Sequence, residues 1–338
     1  MAAMRTYTIP AFGLEHLTLT DTEPHAPGPG EVAIDVRAFS LNYRDVLVIK
    51  GAYNPKLTLP AVPASDGAGV VSAVGDGVSR VRKGDRVMTH FVADWIDGPF
   101  EKRYVSSTLG VPGPGLAAER VVLPERAVVK IPDAYDFAQA STLPIAALTA
   151  WSVLVTEGRL RPDQWVLTLG TGGVSIFAVQ LAKAMGARVV ITSSSNEKLE
   201  RARALGADHG INYVDNPRWD KEVLEVTRKK GADIVVETAG IQTMTSSMKA
   251  AAAGGLVGVL GGVTGLGGDV NLAPLVMKRL RIVGVLVDSR AHFEKLVAFL
   301  TEHAIEPVID RRFAFEEFPD ALRTMEAGKH FGKIVVEV

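Results

Sequence analysis

The chain has 338 residues, a length that suggests two domains and lets about three quarters of the surface exposed in the unfolded state be buried. Its 37 Lys and Arg against 38 Asp and Glu leave a net charge of -1, which gives no electrostatic reason to expect nucleic acid or a membrane as partner. Cysteine is absent, so disulfides, a catalytic thiol and every zinc site built on thiolates are excluded.

The N-terminus carries Arg5 but no long apolar run before Pro10, and no apolar stretch reaches the roughly 18 residues a membrane span needs. A cytoplasmic protein is expected. The first 130 or so residues read as β-rich and irregular. Glu31–Ala38 alternates apolar and polar residues after the turn Pro27-Gly28-Pro29-Gly30, as a half-buried strand does. Gly69–Val74 and Arg86–His90 are further strands, set off by glycine turns. Asp94–Gly115 is a Gly- and Pro-rich excursion, and helical signal begins at Phe137–Glu157.

After Pro162 the texture changes. Strands are predicted at Gln164–Leu169, Arg188–Thr192, His209–Asn212, Asp233–Glu237, Leu256–Leu260 and Arg281–Val287. Helices are predicted between them at Val174–Met185, Asn196–Leu205, Trp219–Arg228 and Met244–Ala253. Strand and helix in alternation with short connections argue for an α/β fold, a parallel sheet with helices on both faces. The tail adds helices at Ala291–His303 and Phe318–Ala327 and a last strand at Lys333–Val338.

The strand before Gly170-Thr171-Gly172-Gly173 runs through that loop into a helix opening at Val174. The first glycine permits a tight turn, the second lets a pyrophosphate approach the backbone, and the helix N-terminus supplies free N–H groups. Ser175 stands where a third glycine is usual. An ordinary tight turn is the plain alternative, and the strand-loop-helix context favours a dinucleotide. NAD-binding folds carry an Asp or Glu roughly 20 residues further on, at the end of the second strand, to hold the ribose 2′-OH. Here that strand ends in Ser193-Ser194-Ser195-Asn196, with Lys198 just beyond. Neutral hydroxyls and a lysine suit a 2′-phosphate, so NADP(H) is the expected cofactor; a Ser-rich helix cap explains the same residues without a ligand.

The chain resembles the medium-chain dehydrogenase/reductase superfamily, in its zinc-free quinone oxidoreductase-like branch. The resemblance rests on Leu41-Asn42-Tyr43-Arg44-Asp45, on Pro63-Ala64-Ser65-Asp66-Gly67-Ala68-Gly69-Val70-Val71 and on Lys83-Gly84-Asp85-Arg86-Val87. It continues through Leu148-Thr149-Ala150-Trp151, the Gly170 loop, Leu205-Gly206-Ala207-Asp208 and Gly328-Lys329-His330-Phe331-Gly332-Lys333. It implies a β-rich GroES-like catalytic domain from 1–132 with 289–338, and a Rossmann doubly wound parallel sheet over 133–288. It implies cofactor contacts at Thr149, Gly170, Thr171, Gly172, Gly173, Val174, Ser193, Ser194, Lys198, Tyr213, Ala239, Gly262 and Phe331. It also implies a homodimer through the Arg281–Val287 strand.

Zinc-dependent relatives bind catalytic zinc through two Cys and a His, with a Glu nearby. The resemblance places those positions at Asn42, Ser65, Ile145 and Asp66, so no metal is expected. The seven histidines show no ligand spacing, and each reads as an isolated surface residue. Without a metal, oxidation of a simple alcohol lacks its main electrostatic aid, whereas hydride adds readily to a quinone or activated alkene. Asn42 and Tyr53 are the candidate catalytic donors, with a turn-former and an aromatic lid as their plain alternatives. The expected activity is an NADPH-dependent oxidoreductase acting on a quinone or α,β-unsaturated carbonyl, a small-molecule substrate. An alcohol or aldehyde dehydrogenase-like enzyme and a low-turnover NADPH-binding structural or regulatory protein are the alternatives. Ser195-x-x-Lys198 and Ser246-x-x-Lys249 fall at expected helix starts and read as chance.

Overall fold

The computed structural model describes residues 3–338. The chain divides into two compact units: residues through Ala146 together with Asp288–Glu302 and Glu306–Val338, and Ala147–Val287 with His303–Ile305. The segment 133–146, expected with the second unit, lies in the first. No helix among the described residues is long and apolar enough to cross a membrane.

The first unit opens with the hairpin β1 (Met4–Thr8) and β2 (Thr18–Thr22). Then follow β3 (Glu31–Ser40), α1 (Tyr43–Ile49), β4 (Asp66–Val74), β5 (Arg86–Thr89), β6 (Arg120–Pro124), β7 (Val128–Lys130) and α2 (Phe137–Ser141). β3 is longer than the alternating stretch predicted, because its last residues pair with both β4 and the C-terminal strand. Gly69 allows the bulge in the β3–β4 pair: a Cβ there would sit 2.1 Å from the carbonyl oxygen of Asp35. The excursion after β5 is held by aromatics. The rings of Trp95 and Tyr104 lie nearly parallel with centroids 6.3 Å apart, and Phe100 meets Trp95 edge-on at 5.2 Å.

The second unit contains α3 (Leu148–Trp151), β8 (Trp165–Leu169), α4 (Gly173–Ala184), β9 (Arg188–Ser193), α5 (Asn196–Ala204), β10 (His209–Asn212) and α6 (Trp219–Val226). It continues with β11 (Ala232–Glu237), α7 (Ile241–Ala250), β12 (Ala251–Val259), α8 (Ala273–Met277) and β13 (Arg281–Gly284). Its strands form one parallel sheet in the order β10-β9-β8-β11-β12-β13, the Rossmann arrangement. Apolar side chains from the strand centres, among them Leu167, Val190, Val235 and Val257, make its core with Trp219 and Met248. Two predicted boundaries shift. The helix predicted over Met244–Ala253 runs Ile241–Ala250 instead, because Ala251 pairs with Ala232 and pairing overrides the helix propensity of the alanine run. The strand predicted over Arg281–Val287 ends at Gly284; Val285 N–H still donates to Val259 at 2.8 Å, and pairing stops there.

The chain returns to the first unit with α9 (Arg290–Glu302), β14 (Ile309–Ala314), α10 (Phe318–Glu326) and β15 (Lys333–Glu337). The mixed sheet there has the order β14-β15-β3-β4-β5-β7, with β6 pairing β3. β15 lies antiparallel to β3, with Val335 opposite Ser40, and β4 pairs on the other side with Asp66 opposite Ser40. This register brings residues from the two ends of the chain to one corner of the sheet.

Candidate functional site

That corner holds a buried polar network. Asn42 precedes α1, and its backbone N–H donates to Asp45 Oδ2 at 2.7 Å, so the helix start is closed by Asp45 reaching back. The Asn42 side chain is thereby left for other partners. Its Oδ1 accepts from Lys333 Nζ at 2.8 Å, and its Nδ2 donates to Asp66 Oδ2 at 2.8 Å. Lys333 Nζ also donates to Leu41 O at 2.7 Å and lies 3.8 Å from Asp66 Oδ2. Asp66, Asp45 and Lys333 are buried, with 0%, 1% and 2% exposure. Burial pushes the Asp66 carboxyl up to about 7, although Lys333 and Asn42 both favour its ionised form. Burial likewise raises Asp45 and lowers Lys333.

Arg44, quoted only as part of a motif in the sequence, organises the other side of α1. Its guanidinium lies over the Tyr53 ring at 4.5 Å and the Phe91 ring at 4.9 Å. It donates to Ser65 Oγ, to Leu109 O at 3.2 Å and to Val111 O at 2.6 Å. Ser65 in turn donates to Asp45 Oδ1 at 3.1 Å. Tyr53, 43% exposed, is therefore tied to Asn42 through Arg44, Ser65 and Asp45.

Zinc is the metal of related dehydrogenases, and the residues at the corresponding positions do not fit it. Asn42 and Ser65 are engaged with Lys333, Asp66, Arg44 and Asp45, and Ile145 has no ligating atom. A dication there would also meet the Lys333 ammonium 3.8 Å from the Asp66 carboxylate. Elemental analysis of the purified protein is expected to show well under one zinc per chain, and a chelator should leave turnover unchanged. Stoichiometric zinc with chelator-sensitive turnover would refute this.

The histidines depart in part from their sequence reading: His209 and His292 are half-buried beside Glu222 and Asp288, at 2.8 and 2.7 Å, and His90 departs furthest. His90, expected at the surface, is fully buried, with Nε2 3.1 Å from Asp288 O. The predicted strand that contained it ends one residue earlier, and its backbone N–H donates to Ala127 O at 2.7 Å, which draws it inward. Burial pulls its pKa down to about 4.

In the second unit, β8 ends at Leu169 and α4 begins at Gly173. Gly170 has φ +71° and open space where a Cβ would be, and Gly172 caps the helix without a side-chain hydrogen bond. The first N–H groups of this 12-residue helix therefore have no partner from the cap, and they fit a pyrophosphate. Ser175 replaces the third glycine by turning its hydroxyl onto Leu169 O at 2.7 Å, inside the core. At the end of β9, Ser193 is buried and accepts from Ser195 N–H at 3.3 Å, while Ser194 is exposed. Ser195 caps α5 by accepting from Lys198 N–H at 3.3 Å, as the plain reading of this segment expects. Tyr213 follows β10 and is 43% exposed; its N–H donates to Ser193 O at 3.0 Å, so it stands beside the end of β9. Thr149 is buried, with Oγ1 3.4 Å from Leu286 O. Ala239 and Gly262 are half-buried on the turns after β11 and β12. Phe331 is buried within the first unit, 1% exposed.

Sequence reasoning passed over Glu237. It is fully buried, and its Oε1 accepts from the N–H groups of Ala239 and Gly240 at 2.9 and 3.0 Å and from Thr243 Oγ1 at 2.8 Å. Its Oε2 accepts from Ser247. The carboxylate thus fixes the turn that carries Ala239 and starts α7. Its sequence signal is a charge directly after the apolar run Ile234-Val235-Val236.

A Rossmann sheet with an open glycine turn in one unit and a buried polar network in a separate β-rich unit are the features of a nucleotide-dependent oxidoreductase fold. Comparison with known proteins specifies the class. Residues 28–133 match the alcohol dehydrogenase GroES-like domain and residues 173–302 the zinc-binding dehydrogenase domain. A zinc-type alcohol dehydrogenase-like protein of Schizosaccharomyces pombe is 39% identical over 321 residues, 93% of each chain. A quinone oxidoreductase of Pseudomonas aeruginosa is 33% identical over 334 residues, 96% of each chain. A solved NAD-dependent alcohol dehydrogenase superposes with a TM-score of 0.91 at 36% identity, covering 99% of this chain and 100% of that one. The chain belongs to the medium-chain dehydrogenase/reductase superfamily and is an oxidoreductase of that family.

Proposed function

We propose that the protein is a metal-independent reductase that transfers hydride from NADPH to a quinone or an α,β-unsaturated carbonyl compound. The observation that carries this is the network at the relatives' metal position. It offers a carboxamide N–H, not a Lewis acid, to the substrate oxygen. Asn42 Nδ2 uses one hydrogen on Asp66 and has one left, on a half-buried side chain. A conjugated acceptor spreads the incoming negative charge, so one or two hydrogen-bond donors suffice where an alcohol would need its O–H ionised. NADPH, when bound, supplies the hydride. Asn42 and Tyr53 would orient the acceptor and donate to its oxygen. Steady-state NADPH oxidation with a panel of quinones and enones tests the reading. Tight NADPH binding with no turnover on any of them would favour the structural or regulatory alternative.

The cofactor preference rests on the neutral end of β9. Ser193, buried at the strand end, brings no carboxylate there; Ser194 and Tyr213 stand exposed with their hydroxyls, and Lys198 is the nearby cation. The NAD-dependence of one relative is that protein's own, so the choice here rests on these residues. A 2′-phosphate gains charge-assisted hydrogen bonds from such a set and would be repelled by a carboxylate. A preference of roughly 1–3 kcal/mol corresponds to about 5- to 150-fold in favour of NADPH. Ser193→Asp is expected to weaken NADPH and spare NADH, and Lys198→Ala to weaken NADPH alone. KM values for both cofactors check this, and a wild type that prefers NADH refutes it.

The proposed assembly is a homodimer through the edge of the Rossmann sheet. β13 is an edge strand, Ile282 on it is 36% exposed, and Val276 and Met277 just before it are 70% and 82% exposed. Light scattering at micromolar concentration should give twice the chain mass, and Met277→Lys should shift it toward monomer. A wild type that stays monomeric sinks the proposal.

A further inference from the structure

Lys333 is a long cationic side chain with 2% exposure, and the chemistry proposed above does not use it. A buried ammonium persists only where acceptors surround it. Here Leu41 O, Asn42 Oδ1 and the Asp66 carboxylate do so, at 2.7, 2.8 and 3.8 Å. The surrounding charges balance. Asp45 and Asp66 face Lys333 and Arg44 within one connected network.

The arrangement has a consequence for Asn42. An ammonium only donates, so the amide oxygen must face Lys333. A carboxyl group, ionised or not, keeps an oxygen that accepts, so the amide nitrogen must face Asp66. The two neighbours therefore select one of the two orientations that the nearly symmetric carboxamide could take. A cation on the carbonyl oxygen also draws electron density from the nitrogen, which strengthens the remaining N–H as a donor.

We propose that Lys333 is a positioning residue for the reaction: its ammonium holds the Asn42 carboxamide in one orientation and polarises it, so that the free Nδ2–H donates to the substrate oxygen. This inference rests on the reading of Asn42 as a donor. Lys333 contacts no substrate and acts only through Asn42. The anchoring is long-range in sequence, 291 residues, and depends on the antiparallel pairing of β15 with β3.

The test is a double-mutant cycle on the full-length enzyme, with NADPH and a quinone as substrates. Lys333→Met keeps the length of the side chain and removes the charge. It should lower kcat on the order of 100-fold, as expected for a misplaced catalytic group, with KM for NADPH unchanged. In the Asn42→Ala background the same substitution should change kcat little, because the group it positions is gone. Lys333→Gln, which can donate to Asn42 but can also accept, should fall between wild type and Lys333→Met. Unchanged kcat in Lys333→Met overturns the proposal, and so does an equal loss in both backgrounds, the mark of a merely structural lysine. If Asn42→Ala itself keeps full turnover, the donor reading fails and this proposal fails with it. A loss in Asn42→Ala without coupling to Lys333 sinks this proposal alone. Should Lys333→Met not fold, NMR of the wild-type Asn42 side-chain amide decides, with the signal assigned by its loss in Asn42→Ala. A widely split pair, with one proton downfield and slow to exchange, supports the fixed orientation, and two protons at the shifts of a solvated asparagine that both exchange fast overturn it.

Discussion

Replacing Asn42 by alanine is expected to lower kcat for quinone reduction on the order of 10- to 1000-fold while leaving KM for NADPH nearly unchanged. The split between the two constants is the informative part. A donor to an oxygen that gains charge as hydride arrives stabilises the transition state more than the ground state, so its loss appears in kcat. The substitution also removes an acceptor from Lys333 and a donor from Asp66, both buried. Leaving those groups short of partners costs about 1–3 kcal/mol of stability. Melting temperatures should therefore be measured beside the kinetics, so that lost turnover is not confused with lost fold. If turnover persists, Asn42 serves only to start α1.

The Rossmann unit was legible in the sequence because its elements are long, apolar and periodic. Predicted and observed spans agree to within a few residues for β8, α4, β9, α5, β10 and β11. The first unit was harder to read. β1, β2, β6, β7 and β14 are short and draw stability from partners far along the chain, so no local pattern marks them. The candidate site divides in the same way. Asn42 and the Gly170 turn sit in local motifs. Lys333 also lay in a quoted motif, but its meeting with Asn42 depends on sheet register across 291 residues. Arg44 gave no sign that its guanidinium would lie over both Tyr53 and Phe91, since Phe91 comes from the loop after β5, far along the chain. Glu237 and His90 are polar residues at strand ends. Whether such a residue turns inward is decided by the backbone groups available to bond it, and those are absent from any local pattern.

Acid should destabilise the protein through His90. Its imidazole is fully buried, with Nε2 against Asp288 O at 3.1 Å and Nδ1 lacking a partner among the described residues. Burial is the main cause of its low pKa of about 4, and the charge of Arg290 adds to it. The unfolded chain has an ordinary histidine, with a pKa near 6.5. Between those values the unfolded state binds the proton and the folded state does not, so acid favours unfolding. The stability that His90 contributes is complete above about pH 6.5 and is lost as pH falls toward 4. At pH 4.5 the loss is on the order of 2–3 kcal/mol relative to pH 7.5. His90→Gln keeps an N–H donor for Asp288 O but does not titrate. The variant should be less stable than wild type at pH 7.5, since the ring's packing near Phe293 is gone, and the gap should close or reverse by pH 4.5. Urea denaturation of both proteins across that range, following the transition of the first unit, measures the gap. Parallel pH profiles would show that His90 is not the group that acid attacks. A gap that narrows by about the stated amount would assign a large share of the protein's acid sensitivity to one buried ring.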